Sequence, residues 1–123
     1  MTALFTKVHT VAVPVADQDR SQKLLEELGF STTLDVELQP GFRWIEMSLP
    51  GGSTTLSLVM TGEQLSTGID TGIRLVTTDA RAAHASLGAK GLDVGDLLDW
   101  DSAPLMFSFI DPDGNRFYVS EDG

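Results

Sequence analysis

One spacing constrains this chain more than any local pattern. Asp17 and Asp79, Leu25 and Leu87, Gly29 and Gly91, Pro50 and Pro112, and Gly52 and Gly114 each stand 62 residues apart. Repetition at a single period marks a duplicated supersecondary unit, and the two copies read alike. In the first, KVHTVAVPV (7–15) alternates His9, Val11, Val13 and Val15 against Val8, Thr10, Ala12 and Pro14, the pattern of a strand with one apolar face. A helix follows, capped by Asp17 or Asp19, striped by Leu24, Leu25 and Leu28 and ended by Gly29. Strands are expected next at 31–38, at 42–49 after the Pro40-Gly41 turn, and at 54–60 after Pro50-Gly51-Gly52. The second copy runs through a strand at 72–78, a helix over 80–91 capped by Asp79, and strands at 92–98, 104–110 and 116–120. The expected fold is α+β, two tandem βαβββ modules (5–61 and 70–121) in a single domain over 1–123. A lone βαβββ sheet has an uncovered face, so each module needs a partner, and the other module of the chain can supply it.

Composition narrows the function classes. Eighteen acidic residues against eight basic ones give a net charge of −10, a field that repels phosphate backbones and anionic lipids and favours cationic ligands. Nucleic acid and membrane are therefore not expected as partners. There is no cysteine, hence no disulfide, thiolate ligand or cysteine nucleophile. No apolar run approaches the roughly 20 residues that span a bilayer, and MTALFTKVHT lacks the basic and apolar regions of a signal peptide, so a soluble cytoplasmic protein is expected. No GxGxxG, P-loop lysine or Ser-His-acid arrangement is present.

The stretch FIDPDGNRF (109–117) lies between the third and fourth strands of the second module. By itself Asp-Gly-Asn is hairpin chemistry. Together with the paired modules and the opening VHTVAVPVAD, it resembles the vicinal oxygen chelate superfamily, which includes glyoxalase I, extradiol dioxygenases, fosfomycin-resistance enzymes and bleomycin-resistance proteins. The resemblance implies a curved mixed-sheet cup with helices on the outside, and homodimers in which modules often pair across subunits.

In the metal-using members, the resemblance further implies a glutamate three residues after that Asn and a histidine seven residues before the helix-entry Asp. Such ligands hold a divalent ion with open positions for two substrate oxygens. Here the corresponding positions are Tyr118 and, in the first module, Leu56 or Ser57, with Thr10 and Gly72 at the histidine positions. None is a strong ligand. His9 is one residue off, and by strand alternation it points away from the cup while Thr10 points in. Glu121, late in the SEDG tail, reads as a solvated acid, and His84 lies on the second helix, far from the cup. No resident metal or other cofactor is expected.

Aligning the modules by their repeat places Thr10, Ala12, Trp44, Glu46, Thr55 or Ser57, Met106, Ser108 and Tyr118 on the cup lining, with Trp100 in a loop over it. Trp faces attract flat rings and cations. Alternatives stay open: Trp44 as core, Glu46 paired to Arg43 or Arg74, Trp100 as a dimer contact. The expected function is binding rather than catalysis, the sequestration of a cationic or aromatic small molecule in the manner of the bleomycin-resistance branch, an antibiotic-resistance role. The competing reading is a metal-dependent lyase, isomerase or dioxygenase with His9, Glu46 and Glu121 as displaced ligands; alternation opposes it by sending His9 and Glu46 to opposite faces. A third is a filled cup acting only through protein contacts.

Overall fold

The computed structural model describes residues 3–62 and 66–122. The chain divides into two compact units, Met1–Ser66 and Thr67–Gly123. The first contains β1 (Thr10–Val15), α1 (Gln18–Glu27), β2 (Ser31–Gln39), β3 (Phe42–Ser48) and β4 (Thr55–Met60). The second contains β5 (Asp70–Thr77), α2 (Ala80–Ala89), β6 (Asp93–Val94), β7 (Met106–Ile110) and β8 (Arg116–Glu121). Each unit is a βαβββ module with one four-stranded mixed sheet, in the orders β1-β4-β3-β2 and β5-β8-β7-β6. The fold is α+β. Among the described residues no helix is long and apolar enough to cross a membrane.

The repeated residues do repeated work. Asp17 accepts from Arg20 N at 3.0 Å and Asp79 from Ala82 N at 3.0 Å, each satisfying a donor that the first helical turn leaves open. Gly29 and Gly91 leave their helices at φ +105° and +85°, a region that favours glycine, and the next residues, Phe30 and Leu92, donate back to the Leu25 and Leu87 carbonyls. Val13, Ile45, Met47, Leu56 and Leu58 bury one face of the first sheet with Leu25 of α1; Phe107, Phe109, Phe117 and Val119 bury one face of the second with Leu87 of α2. On α1 the fully buried positions are Gln18, Ser21 and Leu25, while Leu24 and Leu28 are half-buried. Gln18 is tolerated because its Nε2 donates to the Arg43 and Leu58 carbonyls, both at 2.9 Å.

The strand expected at 92–98 contracts to Asp93–Val94. Gly95 N still donates to Ser108 O at 2.8 Å, and Leu98 and Met106 still exchange backbone bonds, so Asp96 and Leu97 stand together opposite the single residue Phe107. That is a β-bulge. Gly95 approaches β7 so closely that a Cβ there would lie 3.3 Å from Ser108 Oγ.

Candidate functional site

The turn that carried the resemblance holds the second unit together. Asp111 Oδ1 accepts from Asp113 N and Asn115 N, both at 2.9 Å, and Gly114 N closes on Asp111 O at 2.9 Å. Burial pushes the Asp111 carboxyl above its usual range, and these backbone donors oppose the rise. Asn115, fully buried, accepts from Gly68 N at 3.0 Å and Ile69 N at 3.2 Å and so fastens the entry to β5. From there β8 sends Tyr118 to the face opposite the phenylalanine core.

On the corresponding face of the first unit, Glu46 stands opposite Ser57, as Ser108 stands opposite Tyr118. This register makes Ser57, rather than Leu56, the counterpart of Tyr118. Thr10 Oγ1 reaches Ser57 Oγ at 3.1 Å. Glu46 is 7% exposed and engaged at both oxygens: Oε2 accepts from Trp44 Nε1 at 2.7 Å, Oε1 from Thr55 Oγ1 at 3.1 Å, and His9 Nε2 lies 3.2 Å from Oε1. The Trp44 bond first, then Thr55 and His9, hold this carboxyl below the usual range against the opposing effect of burial.

Two expectations and one open alternative are corrected here. His9 and Glu46 meet instead of diverging: His9 stands just before β1, which starts at Thr10, and its Nε2 lies 3.2 Å from Glu46 Oε1. Glu121 is half-buried and accepts from Ala80 N at 3.0 Å, a second cap on α2 rather than a solvated acid. Glu46 does not pair with Arg43, which is held by Asp19 at 2.7 Å and Asp35 at 2.8 Å; within the second unit, Arg74 lies over the Tyr118 ring, 4.2 Å from its centroid.

In the second unit, Arg74, Gly95, Asp96, Leu98, Met106, Ser108, Tyr118 and Ser120 help line a cleft of about 350 Å³, a volume within the usual range for small-molecule sites. Met106, Ser108 and Tyr118 were expected on a binding surface. Arg74 was not, although it shares the parity of Gly72 and pairs with Tyr118 across the parallel β5–β8 ladder. Tyr118 Oη donates to Asp70 Oδ2 at 2.5 Å, which lowers the Asp70 pKa and raises that of Tyr118. Trp100 is 60% exposed and does not line the cleft. His84 acts on this site from behind: its Nε2 lies 2.8 Å from the Gly95 carbonyl, which can only accept, and its ring packs edge-on to Phe107 at 5.0 Å. Among the described residues no group of three or more His, Asp or Glu is gathered as for a metal.

The model of the Glyoxalase/Bleomycin resistance protein/Dioxygenase superfamily matches residues 7–119. A superfamily member from Sphaerobacter thermophilus has a similar structure, with 27% identity and a TM-score of 0.89 over 98% of this chain and 100% of that one. TnmS3, an antibiotic binding protein from Streptomyces sp. CB03234, gives 28% identity and a TM-score of 0.83 over 99% of this chain and 100% of that one. The fosfomycin resistance protein FosX from Listeria monocytogenes is alike in fold alone, with 9% identity and a TM-score of 0.73 over 98% of this chain and 96% of its own. No curated protein matches the chain significantly.

Proposed function

Because the chain belongs to the glyoxalase/bleomycin resistance protein/dioxygenase superfamily, we propose that it binds and sequesters a flat aromatic small molecule in the cleft of its second unit, without catalysis and without a resident metal. The observation that carries this reading is the cleft itself: an apolar wall of Leu98 and Met106, a Tyr118 ring, and hydroxyls from Ser108 and Ser120 in about 350 Å³. The similarity to TnmS3, an antibiotic binding protein, supports binding over turnover.

The residues at the family's ligand positions do not fit a divalent ion. Thr10 and Ser57 offer only hydroxyls that bond each other, Gly72 has no side chain, and Tyr118 is tied to Asp70. The meeting of His9 with Glu46 favours the displaced-ligand reading by one contact, but Glu46 already accepts from Trp44 and Thr55.

Equilibrium dialysis of the full chain against naphthalene, acridine and flavone derivatives tests the proposal. The expected result is saturable binding at one site, with the compound recovered unaltered and with Met106→Trp, which fills the cleft, abolishing retention. No retained compound, or a compound recovered chemically changed, overturns it. So does elemental analysis after incubation with Ni(II), Zn(II), Mn(II) or anaerobic Fe(II), if it finds close to one ion per chain that Glu46→Gln or His9→Ala releases.

A further inference from the structure

In a chain of net charge −10 the cleft of the second unit gathers two cations on one sheet face, although Asp96 also lines it. Of the eight Lys and Arg residues, two serve this one sheet face. Arg74 lines the cleft, and Arg116 reaches its lining through a 2.8 Å bond from Nη1 to Ser108 Oγ. Neither is ion-paired among the described residues. Asp70, the acid whose charge both arginines feel, is already occupied by Tyr118 Oη at 2.5 Å and Gly72 N at 3.1 Å. Arg43 in the first unit shows the contrast, since its fork is filled by Asp19 and Asp35.

Arg74 is also preorganised. Its guanidinium lies 4.2 Å over the Tyr118 ring, and Nη1 donates to the Gly72 carbonyl at 2.8 Å, which fixes the plane. Among the described residues Nη2 and Nε have no partner. A guanidinium held over a ring in a cleft that Leu98 and Met106 also line offers a fork that matches two carboxylate oxygens and a plane on which a ring can lie. Because the group is held in place before binding, less conformational entropy is lost on contact.

We propose that the ligand of this cleft is an aromatic acid, its carboxylate received by Arg74 and its ring set against Leu98 and Met106. The inference rests on the sequestration reading above and names the chemistry of what is sequestered. It also reverses the cationic preference expected from net charge. At contact distance the guanidinium outweighs acids lying beyond the Debye length, roughly 8 Å in physiological salt; on the cleft wall itself Asp96 opposes an anion, and Arg74 and Arg116 favour it.

The test is a calorimetric titration of the full chain with 2-naphthoate and with its neutral isostere 2-naphthamide, for the unaltered protein and for Arg74→Gln. The ratio of two affinities on one sample does not depend on the fraction that is folded. Naphthoate is expected to bind the unaltered protein at least about tenfold more tightly than naphthamide, as a charge-assisted fork implies, and the ratio is expected to fall toward one in Arg74→Gln. Equal affinities in the unaltered protein, or a ratio that survives Arg74→Gln, overturn the aromatic-acid assignment while leaving an aromatic-binding cleft. Binding of neither compound overturns the sequestration reading, and this inference with it.

Discussion

Asn115 shows how one side chain holds a turn and a strand entry together. Its Oδ1 is the shared acceptor for Gly68 N and Ile69 N, so Asn115→Ala takes the acceptor from two backbone donors and empties a position that is itself fully buried. The expected cost is about 2–3 kcal/mol, measured as a lower urea midpoint at unchanged slope. Asn115→Asp is expected to be worse, because it sets a second carboxylate beside Asp111. Glu46 makes a pH-dependent contribution. Its folded pKa lies below its unfolded one, so it stabilises the fold above about pH 4.3, where a free glutamate is ionised, and this contribution is lost as pH falls through the lower folded value. Glu46→Gln is expected to flatten the decline in stability between pH 6 and pH 3. Asp111 shifts the opposite way, but it is common to both proteins and cancels in the difference. The turn was legible from Asp-Pro-Asp-Gly-Asn, since its residues bond within five positions of one another. The tie from Asn115 to Gly68 was not, because it spans 47 residues and leaves no periodic trace.

At the scale of elements, the repeat foretold which strands and helices exist but not how each is held. All nine residues of β2 are exposed, so this edge strand depends on its ladder with β3 and on Arg43, which joins it through Asp35 to Asp19 on α1. Isolated surface ion pairs are weak, but a forked arginine shared by two acids and Gln22 forms a network. Arg43→Ala is expected to speed hydrogen exchange at β2 amides by about tenfold while β4 amides, central in the sheet, keep their protection. Arg43→Lys keeps the charge without the fork and is expected to restore only part of the difference. The bulge after β6 was hidden from the sequence for a different reason. LDVGDLL alternates well enough to read as a strand, and what breaks it is the approach of Gly95 to Ser108 and the pull of His84 on the Gly95 carbonyl. His84→Leu is expected to release that carbonyl and widen the bulge. The measurement is 2-naphthoate affinity, expected to fall about fivefold, a loss of roughly 1 kcal/mol for one hydrogen bond.

At the scale of the whole molecule, net charge and local charge oppose each other. Composition reads out a charge of −10 correctly, but it carries no information about which strand face the few cations share. Arg74 and Arg116 come together through β5–β8 pairing, a parallel contact between segments more than 40 residues apart. A guest of the cleft therefore meets two fields in turn. Far from the surface an aromatic anion is repelled by the excess of acids, and only within reach of Arg74 does the interaction become favourable. Salt acts on these two stages with opposite sign, since added ions screen the distant repulsion as well as the contact. Stopped-flow mixing with 2-naphthoate is expected to show an association rate that rises about threefold between 10 and 150 mM salt, as the Debye length falls from roughly 30 to 8 Å, together with a dissociation rate that also rises. For neutral 2-naphthamide both rates are expected to stay flat. In Arg74→Gln the salt dependence of naphthoate dissociation is expected to weaken to what Arg116 leaves, while that of association remains, because the repulsion belongs to the whole chain and the attraction chiefly to Arg74. An association rate for naphthoate that falls with salt in the unaltered protein would show that the cleft steers anions from a distance, and that the acidic surface is arranged away from its mouth.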